Sequence, residues 1–178
     1  MLHISERDAP RLIQDNNLKN STNNPNNSCL NCLKFTIDAQ TIGLIESNFI
    51  QEVMTVTASH ILPVPNKPSC ILGLLSRRRL VYWGIDLAML MGLQPLDQSA
   101  ELYEVIFASF QDLALAIIVS HVSGLIQIPK EQINYDISQM PSTLRPYLKG
   151  SVLDNNLDNR IMYFLNAENI LHSTILHS

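Results

Sequence analysis

The chain has 178 residues, 46% hydrophobic and 16% charged, with a net charge of −4. That is apolar enough for the core of one domain or two small subdomains, which excludes wholesale disorder. The acidic balance excludes the basic footprint of a nucleic-acid binder, and no apolar run approaches the ~18 residues of a membrane span.

The first eight residues turn polar too soon for a signal region, so the expected compartment is the cytoplasm, with no direct membrane insertion. Residues 1–30 read as a flexible tail. Stretches such as Asn20-Ser-Thr-Asn-Asn-Pro-Asn-Asn27 cannot bury enough apolar area to offset their ordering entropy. Arg7, Arg11 and Lys19 cancel Glu6, Asp8 and Asp15, so the net charge belongs to the folded body, residues 31–177. Cys29 and Cys32 form a C-x-x-C pair and Cys70 stands alone. A zinc site needs two more ligands, and a redox pair opens a helix after a strand. The pair runs into a strand instead, which favours plain thiols. His3, His60, His121, His172 and His177 show no ligand spacing with them, so no metal or cofactor is expected.

From Leu33 the pattern is short strands. Lys34–Ile37 and Thr41–Ile45 flank Ala39-Gln40 as a hairpin. Asn48 is placed to cap a short helix with Phe49, Ile50 and Val53 facing the core. His60–Pro65 reads as an edge, because proline cannot donate to a central ladder. Cys70–Leu75 and Leu80–Ile85 are strands on either side of Ser76-Arg-Arg-Arg79, and a short helix follows, ending at Gly92. Tyr103–Ser109 and Leu113–Val119 make a second hairpin across Gln111-Asp112, the latter strand apolar enough to be buried on both faces. Val122–Ile128 is another strand. Gly150–Asp154 and Arg160–Leu165 pair across residues 155–159. Asn166 caps a closing helix with Ala167, Ile170, Leu171 and Ile175 as its apolar stripe. Many short strands and few helices indicate a mostly β protein, barrel or sandwich.

Catalytic signatures are missing. There is no G-x-S-x-G, P-loop or G-x-G-x-x-G. Glu101 and Glu104 read as solvated charges, and His121 beside Ser120 is not a base–nucleophile pair, since adjacency in sequence does not align the two groups. The expectation is a protein that is not an enzyme.

Several segments, in order, resemble the CheW family of chemotaxis coupling proteins, from about Leu33 to Leu171. Ile50-Gln-Glu-Val53 is similar to the family's V-x-E-V/I segment, and Leu62-Pro-Val-Pro65 to its L-P-x-x-P stretch. Ile71-Leu-Gly73 through Ile85-Asp-Leu87 resembles the signature that follows, with Gly73, Arg78, Asp86 and Leu87 on matching positions. Tyr147–Gly150 and Arg160–Leu171 look like the family's closing segment. Where the family has Asn-Leu-Arg-Gly at the central turn, this chain has Ser76-Arg77-Arg78-Arg79. Glycine tolerates a positive φ there and Arg79 does not, so a reshaped loop is expected. Trp83 replaces a proline, Gly84 an isoleucine or valine, and Ser120 an aspartate.

The resemblance implies two SH3-like five-stranded barrels with short helices and a C-terminal helix. It implies a non-catalytic adaptor between a CheA-type histidine kinase and a methyl-accepting chemoreceptor, within a two-component pathway controlling motility. Related members serve type IV pilus motility and phototaxis. Other readings left open are a scaffold that docks a response regulator, and a small-ligand barrel or enzyme. Arg78 matches the family arginine that supports coupling, and its guanidinium suits a partner carboxylate. Otherwise Arg77, Arg78 and Arg79 form a solvated loop. Glu52 matches an acidic residue near the partner surface, or is a solvated carboxylate. Trp83 is an exposed anchor or barrel core. Asp86 is expected to cap the helix after it.

Overall fold

The computed structural model describes residues 28–154 and 160–177. The Asn-rich segment lies outside the described residues except at its end, where Cys29 and Leu30 already belong to β1 (Cys29–Thr36). β2 (Ile42–Glu46) returns beside it. The connection is longer than the Ala39-Gln40 gap suggested. The side chain of Asp38 accepts from the backbone N–H groups of Gln40 and Thr41, so Asp38 builds the turn.

β3 (Ile50–Thr57) stands where a helix was expected. Only one 3-10 turn, Ser47–Phe49, precedes it, and Asn48 caps nothing there. Val53 does not face the core and is 38% exposed. The run Ile50-Gln-Glu-Val-Met-Thr-Val-Thr57 is rich in β-branched residues, which fit a pleated surface, and its burial alternates with period two. The ladder to β6 (Leu102–Phe110) settles its conformation.

The remaining strands follow the expected order. β4 (Ile71–Arg77) and β5 (Leu80–Asp86) form a hairpin. β6 and β7 (Leu113–Val119) turn at Gln111-Asp112. β8 (His121–Pro129), β9 (Leu148–Asp154) and β10 (Arg160–Leu165) complete the set. The segment joining β9 to β10, residues 155–159, lies outside the described residues. Short helices α1 (Leu87–Leu90) and α2 (Ala167–Leu171) start at caps that the sequence marks: the Asp86 carboxylate accepts from Met89 N at 3.0 Å, and Asn166 Oδ1 from Asn169 N at 3.0 Å. α2 is shorter than its apolar stripe implied. It stops at Leu171, so Ile175 is exposed, and the following turn buries Leu176 instead.

The strands make two five-stranded sheets, ordered β8-β1-β2-β10-β9 and β3-β6-β7-β5-β4. Each curls until a segment beyond its edge strand reaches the opposite edge. Leu62 and Leu74 exchange two backbone hydrogen bonds of 2.9 Å, as do Asn134 and Ser151 at 2.8 Å. These bridges close the two barrels. Gly73 is required at the first, because a Cβ there would sit 2.3 Å from the Leu62 carbonyl oxygen.

Alternation along the strands creates three apolar cores. Val56, Leu75, Tyr82, Val105, Phe107 and Ile118 fill one barrel, and Leu44, Ile128, Val152, Met162 and Phe164 the other. Between the barrels lies a larger shared core containing Phe35, Ile45, Ile85, Ile106, Ile117 and Leu171. β7 serves two of these at once, with Ala116 and Ile118 inside its barrel and Leu115, Ile117 and Val119 in the shared core. That is the double-faced burial its unbroken apolar run predicted.

Candidate partner-binding site

The sheet centred on β7 has β3 and β4 as its two edges. Glu52 projects from β3, and Arg77 is the last residue of β4. Arg77 grips the Glu52 carboxylate through two hydrogen bonds, Nη2 to Oε1 at 2.6 Å and Nε to Oε2 at 3.1 Å. This planar two-point geometry is available to a guanidinium and not to an ammonium. Arg78 approaches the same carboxylate more loosely, with both of its contacts at 3.4 Å. The hydrogen bond and charge of Arg77, assisted by Arg78, hold the Glu52 carboxyl below its ordinary range, and Glu52 in turn raises Arg77.

Arg78 and Arg79 are the two residues between β4 and β5, with φ of 47° and 67°. Positive φ at both central positions is what a type I′ turn requires. The loop is therefore not reshaped to spare Arg79. Arg79 takes a positive φ and bears its conformational cost. The turn also leaves Arg78 with a side chain 72% exposed, against 21% for Glu52. The three arginines thus divide: Arg77 is held against β3, Arg78 bridges from Glu52 to solvent, and Arg79 is exposed.

Two hollows flank the pair. One, of about 280 Å³, is lined by Gln51, Glu52, Arg77, Arg78, Leu80, Tyr82 and Phe107. Its floor is ordered, since the Tyr82 hydroxyl donates to Gln51 Oε1 at 3.0 Å and its ring meets Phe107 edge-on at 4.9 Å. The other, of about 610 Å³, runs between the β3 and β4 edges past Met54, Thr55, Leu62 and Leu75. Reading the sequence missed Gln51, Tyr82, Phe107 and Leu62. Tyr82 and Phe107 face into the barrel, a placement that the period-two pattern signals once both strands are recognised.

Trp83 points to the opposite face of β5 from Tyr82. It packs half-buried against the shared core, and Lys67 Nζ lies 5.6 Å from its ring. With Leu80, Val81 and Leu113 it lines a groove of about 490 Å³, which adjoins the smaller hollow through Gln51, Leu80 and Tyr82. Leu80 and Val81 are 55% and 65% exposed. Trp83 is accordingly both a core contact and a groove wall, apart from the Glu52–Arg77 pair.

The cysteines lie apart. Cys29 and Cys32 sit three residues apart on one strand and so face opposite sides, Cys29 exposed and Cys32 inside a barrel. Burial, with Glu46 nearby, pushes the Cys32 thiol up to about 11, which keeps it protonated and unreactive. Cys70 is buried in the shared core. Among the described residues no group of three or more His, Cys, Asp or Glu side chains is placed to hold a metal ion, and no helix is long and apolar enough to cross a membrane.

Two interlocked barrels with an ion-paired edge between hollows form a domain suited to protein recognition. A model of the CheW-like domain matches residues 31–174, and the chain belongs to the CheW-like family. It is 24% identical over 139 residues to the chemotaxis protein CheW of Thermotoga maritima, covering 78% of this chain and 85% of that protein. The crystal structure of the scaffolding protein TtCheW from Thermoanaerobacter tengcongensis matches with a TM-score of 0.66 at 16% identity, over 78% of this chain and 90% of that one. At that identity the likeness is one of fold.

Proposed function

We propose that this protein is a non-catalytic adaptor that couples a CheA-type histidine kinase to methyl-accepting chemoreceptors in the cytoplasm, and so controls motility. Family membership supports the adaptor role. The observation that carries the binding site is the Glu52–Arg77–Arg78 cluster at a sheet edge, with hollows on both sides. Glu52 and Arg77 act by holding the edge in shape. Arg78, exposed and already turned toward a carboxylate, supplies the contact to an acidic group of the partner, and Arg79 lies at its rim. A purified kinase regulatory domain and a receptor tip fragment, titrated separately against wild type and Arg78→Ala, test this. Loss of one charge-assisted contact weakens at least one of the two by about tenfold. Unchanged affinity for both removes Arg78 from the site.

The groove beside Trp83 favours a second reading, in which a response regulator of a pilus-driven or phototactic pathway docks there. Its exposed Leu80 and Val81 suit an apolar partner surface. Co-purification from the native host that returns kinase and receptor without a regulator rejects it.

A further inference from the structure

β3 and β4 are the two edges of one sheet, and among the described residues no ladder joins them. Both nevertheless aim main-chain groups into the seam between them. Along an antiparallel strand the N–H and C=O of one residue face the same side, and successive residues alternate. Ala58 N donates to Glu101 O at 2.8 Å, one step beyond the Thr57–Leu102 pair. Met54, Val56 and Ala58 therefore face β6, and Thr55 and Thr57 turn their main-chain groups to the seam. On β4, Leu74 gives both of its groups to Leu62, away from β5. Ser76, two residues on, faces the same way. Among the described residues, neither a ladder nor a turn bond takes up the main-chain groups of Thr55, Thr57 and Ser76 on that side.

The hollow of about 610 Å³ lies at this seam, with Thr55, Thr57 and Ser76 all in its walls. The Leu62–Leu74 bridge bounds it at one end and the Glu52–Arg77 pair at the other. Its floor is apolar, because Val56, Leu75 and Phe107 belong to the barrel core. Arg77 and His60 are the ionisable side chains that line it, and no carboxylate is among the lining. Arg78 and Arg79 follow Arg77 in the turn, so three guanidiniums stand here against the one carboxylate of Glu52. This cationic end belongs to a chain whose net charge is −4.

We propose that the seam takes an extended, acidic peptide segment of a protein partner, which adds as a strand between β3 and β4. The inference rests on the partner-binding reading of the Glu52–Arg77–Arg78 edge and names the chemistry of what that edge accepts. Unpaired donors and acceptors on two facing edges recognise an extended backbone. A helix cannot use them, because its main-chain groups are already bonded within it. Side chains of a strand alternate, so one aliphatic or aromatic side chain of the segment reaches Val56, Leu75 and Phe107. Leu62, 64% exposed, gives a further apolar contact. A carboxylate at the end nearer the turn meets Arg78, and the lining without acidic groups selects against a basic segment.

Fluorescein-labelled peptides Thr-Val-Xaa-Val-Asp-Asp-Glu, with Leu, Phe or Tyr at the variable position, test this by anisotropy against the full chain. At least one is expected to bind, less tightly as salt is raised. Lysines in place of the three acidic residues abolish binding. So do N-methyl groups on alternate amides in either register, which keep the side chains and charge but block strand pairing. Ser76→Ala keeps the main chain and binds as wild type does. Ser76→Pro removes the N–H that faces the seam, leaves the β4–β5 ladder intact and weakens binding about tenfold. Far-ultraviolet circular dichroism and Trp83 emission check its fold, and if it does not fold, the N-methyl series on the wild-type chain decides alone. No binding by any of the peptides, equal binding of the lysine or N-methylated forms, or a folded Ser76→Pro chain that binds unchanged overturns the proposal. If the peptides fail while Arg78→Ala still weakens a kinase or receptor fragment, the seam falls and the adaptor reading stands. If the peptides behave as expected while Arg78→Ala leaves both fragments unaffected, the seam stands and the assignment of Arg78 to those two partners falls.

Discussion

Arg77, at the end of β4, holds Glu52 of β3 across a sheet edge where no backbone ladder joins the two strands. The barrel's own closing bridge, Leu62 to Leu74, lies at the middle of β4, three residues before Arg77. The ion pair is thus what keeps the Arg78-Arg79 turn in register with β3. Its acid sensitivity follows from Glu52. The folded carboxyl titrates below its ordinary value of 4.5 because Arg77 holds the charged form. The associated stability is present above that value and is lost as pH falls through the lower, folded value. Glu52→Gln is therefore expected to lower the urea midpoint at pH 7 and to differ less from wild type at pH 3. Being partly solvent-exposed, the pair gives a small effect that added salt reduces further. An equal gap at both pH values removes the electrostatic account.

The glycines form a graded series. At Gly73 an added Cβ meets the Leu62 backbone at 2.3 Å, and φ is 151°. At Gly150 the nearest atom is the Asn134 carbonyl oxygen at 2.8 Å. At Gly124 nothing lies within 4 Å, but φ is 124°. Gly124→Ala pays only backbone strain, about 1–3 kcal/mol. Gly73→Ala adds a clash with backbone that cannot move without breaking the barrel closure, and is expected to cost above about 4 kcal/mol. Chemical denaturation of the three variants gives the ranking, and Gly73→Ala as mild as Gly124→Ala refutes the role of the bridge.

How far the chain announces this arrangement depends on sequence distance. The β4–β5 and β6–β7 hairpins and both helix caps rest on neighbours within a few residues, and they stand where the pattern put them. β3 failed because Asn48 imitates a cap and Ile50 with Val53 imitates one face of a helix. Its partner β6 lies some fifty residues on and overrides that local signal. The resemblance marked Glu52 and Arg78 separately. That Arg77 makes the tighter bond depends on the handedness of a two-residue turn, which sends successive side chains to different sides. The exchange of hairpins between barrels is a property of pairing over the whole chain, invisible to any window of residues.

Trp83 is the chain's single tryptophan, so fluorescence reports its groove alone. Half-buried against the core and open on one side, it is expected to emit between the buried and fully solvated extremes and to be partly quenched by iodide. If a response regulator covers the groove, its addition shifts emission to the blue and protects against quenching, while a kinase domain bound at Glu52 and Arg78 changes the spectrum less, because the hollow there shares Gln51, Leu80 and Tyr82 with the groove but not Trp83. The reverse pattern exchanges the two surfaces.

Arg79 offers the sharpest separation of fold from recognition. Its φ of 67° is unfavourable for a side chain with a Cβ and free for glycine. Arg79→Gly is expected to stabilise the protein by about 1 kcal/mol despite removing a charge, with the loss of unfolded-state restriction offsetting part of the gain. Arg78→Gly shares the conformational benefit, since its φ is 47°, but removes the guanidinium that reaches Glu52 and solvent. If the turn arginines serve recognition as assigned, Arg79→Gly gains stability and keeps most partner affinity, whereas Arg78→Gly gains stability and loses affinity. Denaturation midpoints and partner titrations on the same two proteins decide the matter. An Arg79→Gly variant that binds as poorly as Arg78→Gly makes the whole turn the contact, and one that is less stable than wild type contradicts the strain assigned to it.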